Sequence, residues 1–259
     1  AKLPKAQIAD KVAHALEQVG LTQFAQRKPH ELSGGQQQRV QLARAIVLDR
    51  DILLLDEPLA ALDAQLRKDM CLELKHLQEQ VGITFIHVTH NQEEAMTVAD
   101  RIALIANGDL VEFGYARDIY RAPEKAFTAS FVGDNNMLQG EVLTVNNTTV
   151  TVDIASTELT VDKRGLALEQ GQIVDLSIRS ECVALDLATD RSTPADGLSL
   201  LGTYGESVYL GLTTSHLVRL SDGTEMISRV IADTDDTLPQ AGAAVWLTWK
   251  PTDIRLHVA

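Results

Sequence analysis

A chain of 259 residues, 45% hydrophobic and 4% aromatic, is long enough for one large or two modest domains and too rich in aliphatic residues to stay disordered. Its formal charge of −13 disfavours a nucleic-acid-binding surface, whose affinity comes largely from Lys and Arg on phosphates. Cys71 and Cys182 lack metal-ligand spacing or a disulfide framework, no run nears the ~20 apolar residues of a membrane span, and the first residues lack a signal peptide's apolar core, so a soluble cytoplasmic protein is expected.

In chain order, Ile8, Val12, Ala15, Leu16 and Val19 recur at helical spacing and predict a helix over 8–19, stopped by Gly20. Ser33-Gly34-Gly35 opens a second helical run in which Val40, Ala43, Ile46 and Val47 share a face. Residues 52–55 are wholly apolar, as expected of a parallel strand covered on both faces. Over 63–81, Leu66, Met70, Leu74, Leu77 and Val81 form one stripe of a surface helix. A β-rich run over 84–89 precedes a helix over 90–99, and strands over 102–105 and 110–113 meet across Asn107-Gly108, a strong hairpin signal.

Near Gly133 helical periodicity gives way to short alternating runs, which places a domain boundary within 131–137. Beyond it, strands are expected over 141–145, 149–154, 173–178, 215–220 and 245–249, an all-β pattern. Asn146-Asn147 and Asp222-Gly223 suit hairpin turns, and 188–196 reads as a polar connection between two β units. Trp246 and Trp249, three apart on one strand, should face opposite sides, with at most one in the core.

Three places carry chemistry. Ser33 can cap the helix opened by Gly34 and Gly35, where unpaired N–H groups and glycine's small size admit an anion; the plain alternative is an ordinary capped helix. The strand over 52–55 ends in Asp56 and Glu57, at the carboxyl end where open α/β sheets bind ligands. Asp56 suits Mg²⁺, directly or through water, and Glu57 an attacking water, although adjacent acids also occur in solvated turns. His90 closes the second β run and could contact a γ-phosphate, orient the water, or be purely structural.

Together LSGGQ, the apolar strand ending in Asp-Glu, Ala61-Leu62-Asp63, and His90 after TFIHVT closely resemble the ATP-binding cassette ATPases. The resemblance implies an α/β partial P-loop NTPase domain over 1–133 and an all-β OB-like (TOBE) domain over 134–259. It makes Leu32, Ser33, Gly34, Gly35 and Gln36 the signature motif, residues 51–56 the segment ending in the metal-binding Asp56, Glu57 the catalytic glutamate, Ala61–Asp63 the D-loop and His90 the switch histidine. It further implies ATP and Mg²⁺ as cofactors and a homodimer in which each signature closes over nucleotide held by the partner. The family's G-x-x-x-x-G-K-[ST] loop is nowhere in these residues, so the chain alone is expected not to hydrolyse ATP.

Residues 114–138 resemble the junction in importer ATPases that carry TOBE domains, and LSIRSECVAL over 176–185 resembles a TOBE strand pattern, with Ser180 where proline is common. Several stretches, among them FAQRKPHELSGGQQQRV and GDNNML, look particularly like spermidine/putrescine importer ATPases, while ferric ion, phosphonate and sugar importers share the plan. That resemblance implies integral-membrane permeases, an indirect periplasmic solute-binding protein, a peripheral place on the cytoplasmic face of the inner membrane, and no nucleic acid. A non-hydrolytic regulatory partner and a non-transport cassette protein are the other readings. The C-terminal domain suits either dimerisation or ligand sensing.

Overall fold

The computed structural model describes residues 3–60, 62–188, 197–232 and 239–258, so Ala61 and most of the expected 188–196 connection lie outside the described residues. The chain forms two compact units, Ala1–Ile102 and Ala103–Ala259.

In the first unit, α1 (Lys5–Gln18) ends where Val19 caps it and Gly20 turns at φ +67°, a conformation glycine adopts without steric cost. Helix α2 (Gly34–Ile46) leads to strand β1 (Ile52–Asp56), followed by α3 (Ala64–Val81), β2 (Thr84–Val88) and α4 (Gln92–Val98). Strands β1 and β2 run parallel, Ile52 opposite Thr84 and Asp56 opposite Val88. Leu53, Leu55 and Phe85 pack with Ala15, Leu42, Ile46, Leu74 and Leu77 of the helices.

In place of the expected two-sided burial of the first strand, Ile52 and Leu54 of this chain are 59% and 66% exposed, as Ile86 and Val88 are also exposed. The helices cover only the Leu53 and Leu55 face, because alternate strand residues point to opposite sides. The expected helix from residue 90 begins instead at Gln92, since Asn91 stays extended and its side chain accepts the Glu94 N–H at 3.0 Å.

The second unit holds the hairpin β3 (Arg101–Ala106) and β4 (Asp109–Tyr115), which begins at the end of the first unit and turns at Asn107 and Gly108, φ +53° and +89°. Two short helices follow that sequence patterning missed, α5 (Ala116–Arg121) and α6 (Ala126–Phe131), with Glu112 accepting the Glu124 and Lys125 N–H groups between them. Next come β5 (Asn135–Val145), β6 (Thr149–Ile154), β7 (Thr157–Asp162), β8 (Ile173–Arg179), β9 (Ala184–Leu187), β10 (Leu198–Tyr209), β11 (Thr213–Arg219), β12 (Glu225–Ile231), β13 (Ala244–Trp249) and β14 (Ile254–His257).

These form two antiparallel five-stranded sheets, β14-β8-β5-β6-β7 and β12-β11-β10-β13-β9, whose alternating residues meet in one apolar core. Chain order and sheet order diverge at β14, which returns from the second sheet to pair with β8, Ile254 opposite Ile178. Asn136 of β5 works as a piece of backbone: its amide donates to the Ile227 carbonyl at 2.8 Å and accepts the Ile227 N–H at 2.6 Å. Trp249 is buried, and Trp246 is half-buried.

The last strand places His257 in the interior, where the Ser177 hydroxyl lies 2.8 Å from Nε2 and the Glu124 carbonyl 3.3 Å from Nδ1. Burial holds the imidazole below its ordinary pKa of 6.5, opposed by the Glu124 carbonyl and the Asp175 and Glu112 carboxylates. The unfolded chain therefore binds this proton first, so the stability of the neutral form is intact above about pH 6.5 and falls as pH drops toward the lowered folded value. Thermal melts from pH 7.5 to 5 should show falling stability, and His257→Gln should flatten that fall; an unchanged slope would remove His257 as its source.

Candidate functional site

The signature turn is built from a reciprocal cap. Ser33 Oγ accepts the Gln36 N–H at 3.4 Å, and Gln36 Oε1 accepts the Ser33 N–H at 3.1 Å. Ser33 and Gly34 are exposed, whereas Leu32 and Gly35 are buried. A Cβ on Gly35 would sit 3.6 Å from Met70 Sδ and 3.7 Å from Leu66 Cδ1, but one on Gly34 would meet nothing within 4 Å. The helix start is thus anchored on its α3 side and open at Ser33-Gly34, where an anion has access to first-turn N–H groups.

The second part sits at the carboxyl end of β1. Asp56 and Glu57 are both exposed, and Glu57 has φ +42°, a left-handed backbone that a non-glycine residue adopts at a cost of about 1–3 kcal/mol. Its conformation is held by the N–H, which donates to the Val88 carbonyl at 2.9 Å, and by the carboxylate, which lies 3.0 Å from His90 Nδ1. With side chains 48% and 75% exposed, Glu57 and His90 meet at the surface rather than in the core. A solvated turn needs neither the strained backbone nor a histidine brought from another strand.

Sequence reasoning named both members of this pair but missed the residues that support them. Gln38 donates its amide to the Pro58 carbonyl, tying α2 to the turn after Glu57. Arg67 donates to the Leu62 carbonyl at 2.7 Å and the Leu59 carbonyl at 3.5 Å, tying both to α3. Asp63 caps α3, its carboxylate accepting the Leu66 N–H at 3.0 Å. The D-x-x-L spacing after Leu62 was a cap signal in plain view, but the backbone-directed roles of Gln38 and Arg67 need the fold. Among the described residues no hydrogen bond joins the Ser33–Gln36 turn to Asp56, Glu57 or His90, so the structure brings Glu57 and His90 together while the Ser33–Gln36 turn makes no such contact with them.

Two features fit a Mg²⁺–nucleotide: an exposed carboxylate at a parallel strand's carboxyl end, and an unobstructed helix start with a hydroxyl beside it. Fold and site define the signature-bearing part of an ATP-binding cassette ATPase followed by a β-rich TOBE/OB-like domain. The family model described as ABC transporter matches residues 4–60, and the TOBE domain model matches 176–256. The chain belongs to the ABC transporter family. It is 43% identical to the spermidine/putrescine import ATP-binding protein PotA of Marinobacter nauticus over 91% of this chain and 62% of that protein. Its identity to the proteins of the same name is 42% in Thermobifida fusca, across 96% of this chain and 64% of that one, and 40% in Salmonella typhimurium, across 96% and 67%. The chain therefore spans about two thirds of the length of these relatives.

Proposed function

We propose that the chain is the signature- and acid-bearing part of an ATPase subunit that energises solute uptake, with polyamines of the spermidine/putrescine type as the solute class. The observation that carries the reading is the Glu57–His90 pair at the carboxyl end of β1, reached through a strained Glu57 backbone. The names of the relatives supply the solute class. In this reading the ATPase portion runs over 1–133 and a regulatory portion over 134–259, two copies pair, permease subunits dock on the dimer at the cytoplasmic face of the inner membrane, and a periplasmic solute-binding protein acts through them.

Bound ATP with Mg²⁺ would supply the transferable γ-phosphoryl group and neutralise charge as it leaves. Asp56 offers one carboxylate to the cation, consistent with the one or two that Mg²⁺ usually takes from protein. The exposed Glu57 carboxylate accepts a proton from an attacking water, and His90 holds that carboxylate in place through one of its oxygens. Leu32 seats the start of the signature in the fold, Ser33, Gly34 and Gly35 present hydroxyl and N–H groups to an anion across the dimer, and Gln36 holds the cap that shapes them. Asp63 fixes the D-loop end beside α3.

Since no G-x-x-x-x-G-K-[ST] loop lies within residues 1–259, these groups act on nucleotide only when such a loop is supplied. Phosphate release from purified 1–259 should stay at background, and joining a family P-loop segment ahead of Ala1 should give turnover. Turnover by 1–259 alone would overturn the division of labour; none after joining would overturn the ATPase reading.

A further inference from the structure

His90 stands on a short connection between Val88, which ends β2, and Gln92, which opens α4. On one side of it Thr89 is tied to the Glu94 side chain, and on the other Asn91 is tied to Thr89 and to the Glu94 backbone. Thr89 Oγ1 donates to Glu94 Oε2 at 2.8 Å, and the Asn91 N–H donates back to Thr89 Oγ1 at 3.0 Å. Asn91 Oδ1 accepts the Glu94 N–H at 3.0 Å, closing the ring of contacts. The other Glu94 oxygen lies 2.7 Å from Nε2 of His87, which stands on β2 two residues before Thr89.

Glu94 is only 4% exposed, and burying a carboxylate is costly unless it is fully hydrogen-bonded. An apolar residue would pack α4 against the strands without that cost. His87 Nδ1 has no hydrogen-bond partner among the described residues, so Glu94 is the polar anchor of that ring too. All of this fixes the backbone on both sides of His90 while leaving its imidazole free to reach Glu57 at 3.0 Å. The Glu57 N–H is bonded to the Val88 carbonyl, so the same strand end positions both members of the pair.

The geometry points to Glu94 as a positioning residue: through Thr89, Asn91 and His87 it sets the imidazole of His90 against Glu57. This rests on the proposed role of that pair in hydrolysis. Two variants remove the device by different routes. Thr89→Val deletes the hydroxyl that joins Glu94 to Asn91 and keeps the side-chain shape. Glu94→Gln leaves an oxygen that can accept from Thr89 or His87 but not the two-oxygen bracket that holds both as acceptor.

In the protein completed with its P-loop, each variant should lower kcat for ATP about tenfold with KM changed less than about twofold, as expected of a misplaced catalytic group. In a His90→Ala background neither should lower kcat further. An unchanged kcat, or an equal loss in the His90→Ala background, would overturn the assignment. A readout that needs no nucleotide separates this from the functional reading: amide hydrogen exchange at residues 89–91 of the 259-residue chain. It should quicken about tenfold in both variants with the melting temperature held, as local opening does without global unfolding. Unchanged exchange would sink the positioning role whether or not the completed protein hydrolyses ATP.

Discussion

Glu57→Gln in the protein completed with its P-loop should leave ATP binding intact and remove most hydrolysis, about a hundredfold or more in kcat. The amide keeps the shape and one oxygen to face His90, so the turn at φ +42° and the Val88 contact survive, but it cannot take a proton from water. Binding and chemistry should therefore separate: nucleotide affinity within a few-fold of wild type, closed dimers accumulating with ATP, phosphate release nearly gone. Isothermal titration with ATP and single-turnover phosphate release measure the two halves independently. Weakened binding would make Glu57 a structural residue whose carboxylate supports the turn, and unimpaired turnover would move the base elsewhere. His90→Ala should fall between these limits, since Glu57 keeps its proton-accepting oxygen but loses the partner 3.0 Å away.

What could be read from the sequence was what the chain states locally. Helices α1 and α3 announce themselves by periodicity, and α1 by its stop at Gly20. The hairpin at Asn107-Gly108 does so by the two left-handed residues that its turn requires. Glu57 and His90 were legible by their places after apolar strands and, through the family resemblance, as members of one cleft, while the direct contact between them follows from the β1–β2 register. The strands that went unread lack a local signal.

Strand β10 carries Gly202 and Gly205, and a Cβ on Gly202 would run into Val218 and sit 3.1 Å from the Arg219 carbonyl of the neighbouring strand, a close approach that only the folded sheet reveals. Strand β14 has four residues and its partner β8 lies some eighty positions earlier, so only the folded chain explains it. Within these residues the helices cover only one face of β1, which leaves Ile52 and Leu54 exposed on the other.

The largest stability effect is expected in the second unit, at Arg179. Its guanidinium lies over the Tyr120 ring, 3.9 Å from the centroid, and donates to the Tyr120 and Val132 carbonyls, so that one side chain joins the ends of α5 and α6 to β8. Burial lowers its pKa, opposed by the neighbouring Tyr120, Glu181, Cys182 and Asp134, and a guanidinium still remains charged under these conditions. Arg179→Leu would take the guanidinium donor from the Tyr120 carbonyl, leave the Val132 carbonyl with the Asn135 amide at 3.4 Å, and lose the stacked contact, a cost of about 3 kcal/mol, or roughly 6–12 °C in melting temperature for a unit of this size.

Arg179→Lys keeps the charge but cannot fork to two carbonyls while lying flat on a ring, so at least half the loss should persist. Gly133→Ala attacks the same assembly from the other side. Its φ of +71° is left-handed, and an added Cβ would meet the Arg179 guanidinium and lie 2.8 Å from the Tyr120 ring. Because both changes dismantle one set of contacts, the double variant should lose clearly less than the sum of the singles in denaturant titrations. A lysine variant as stable as wild type would reduce the site to a charge, and additive losses would show that Gly133 and Arg179 stabilise the fold independently.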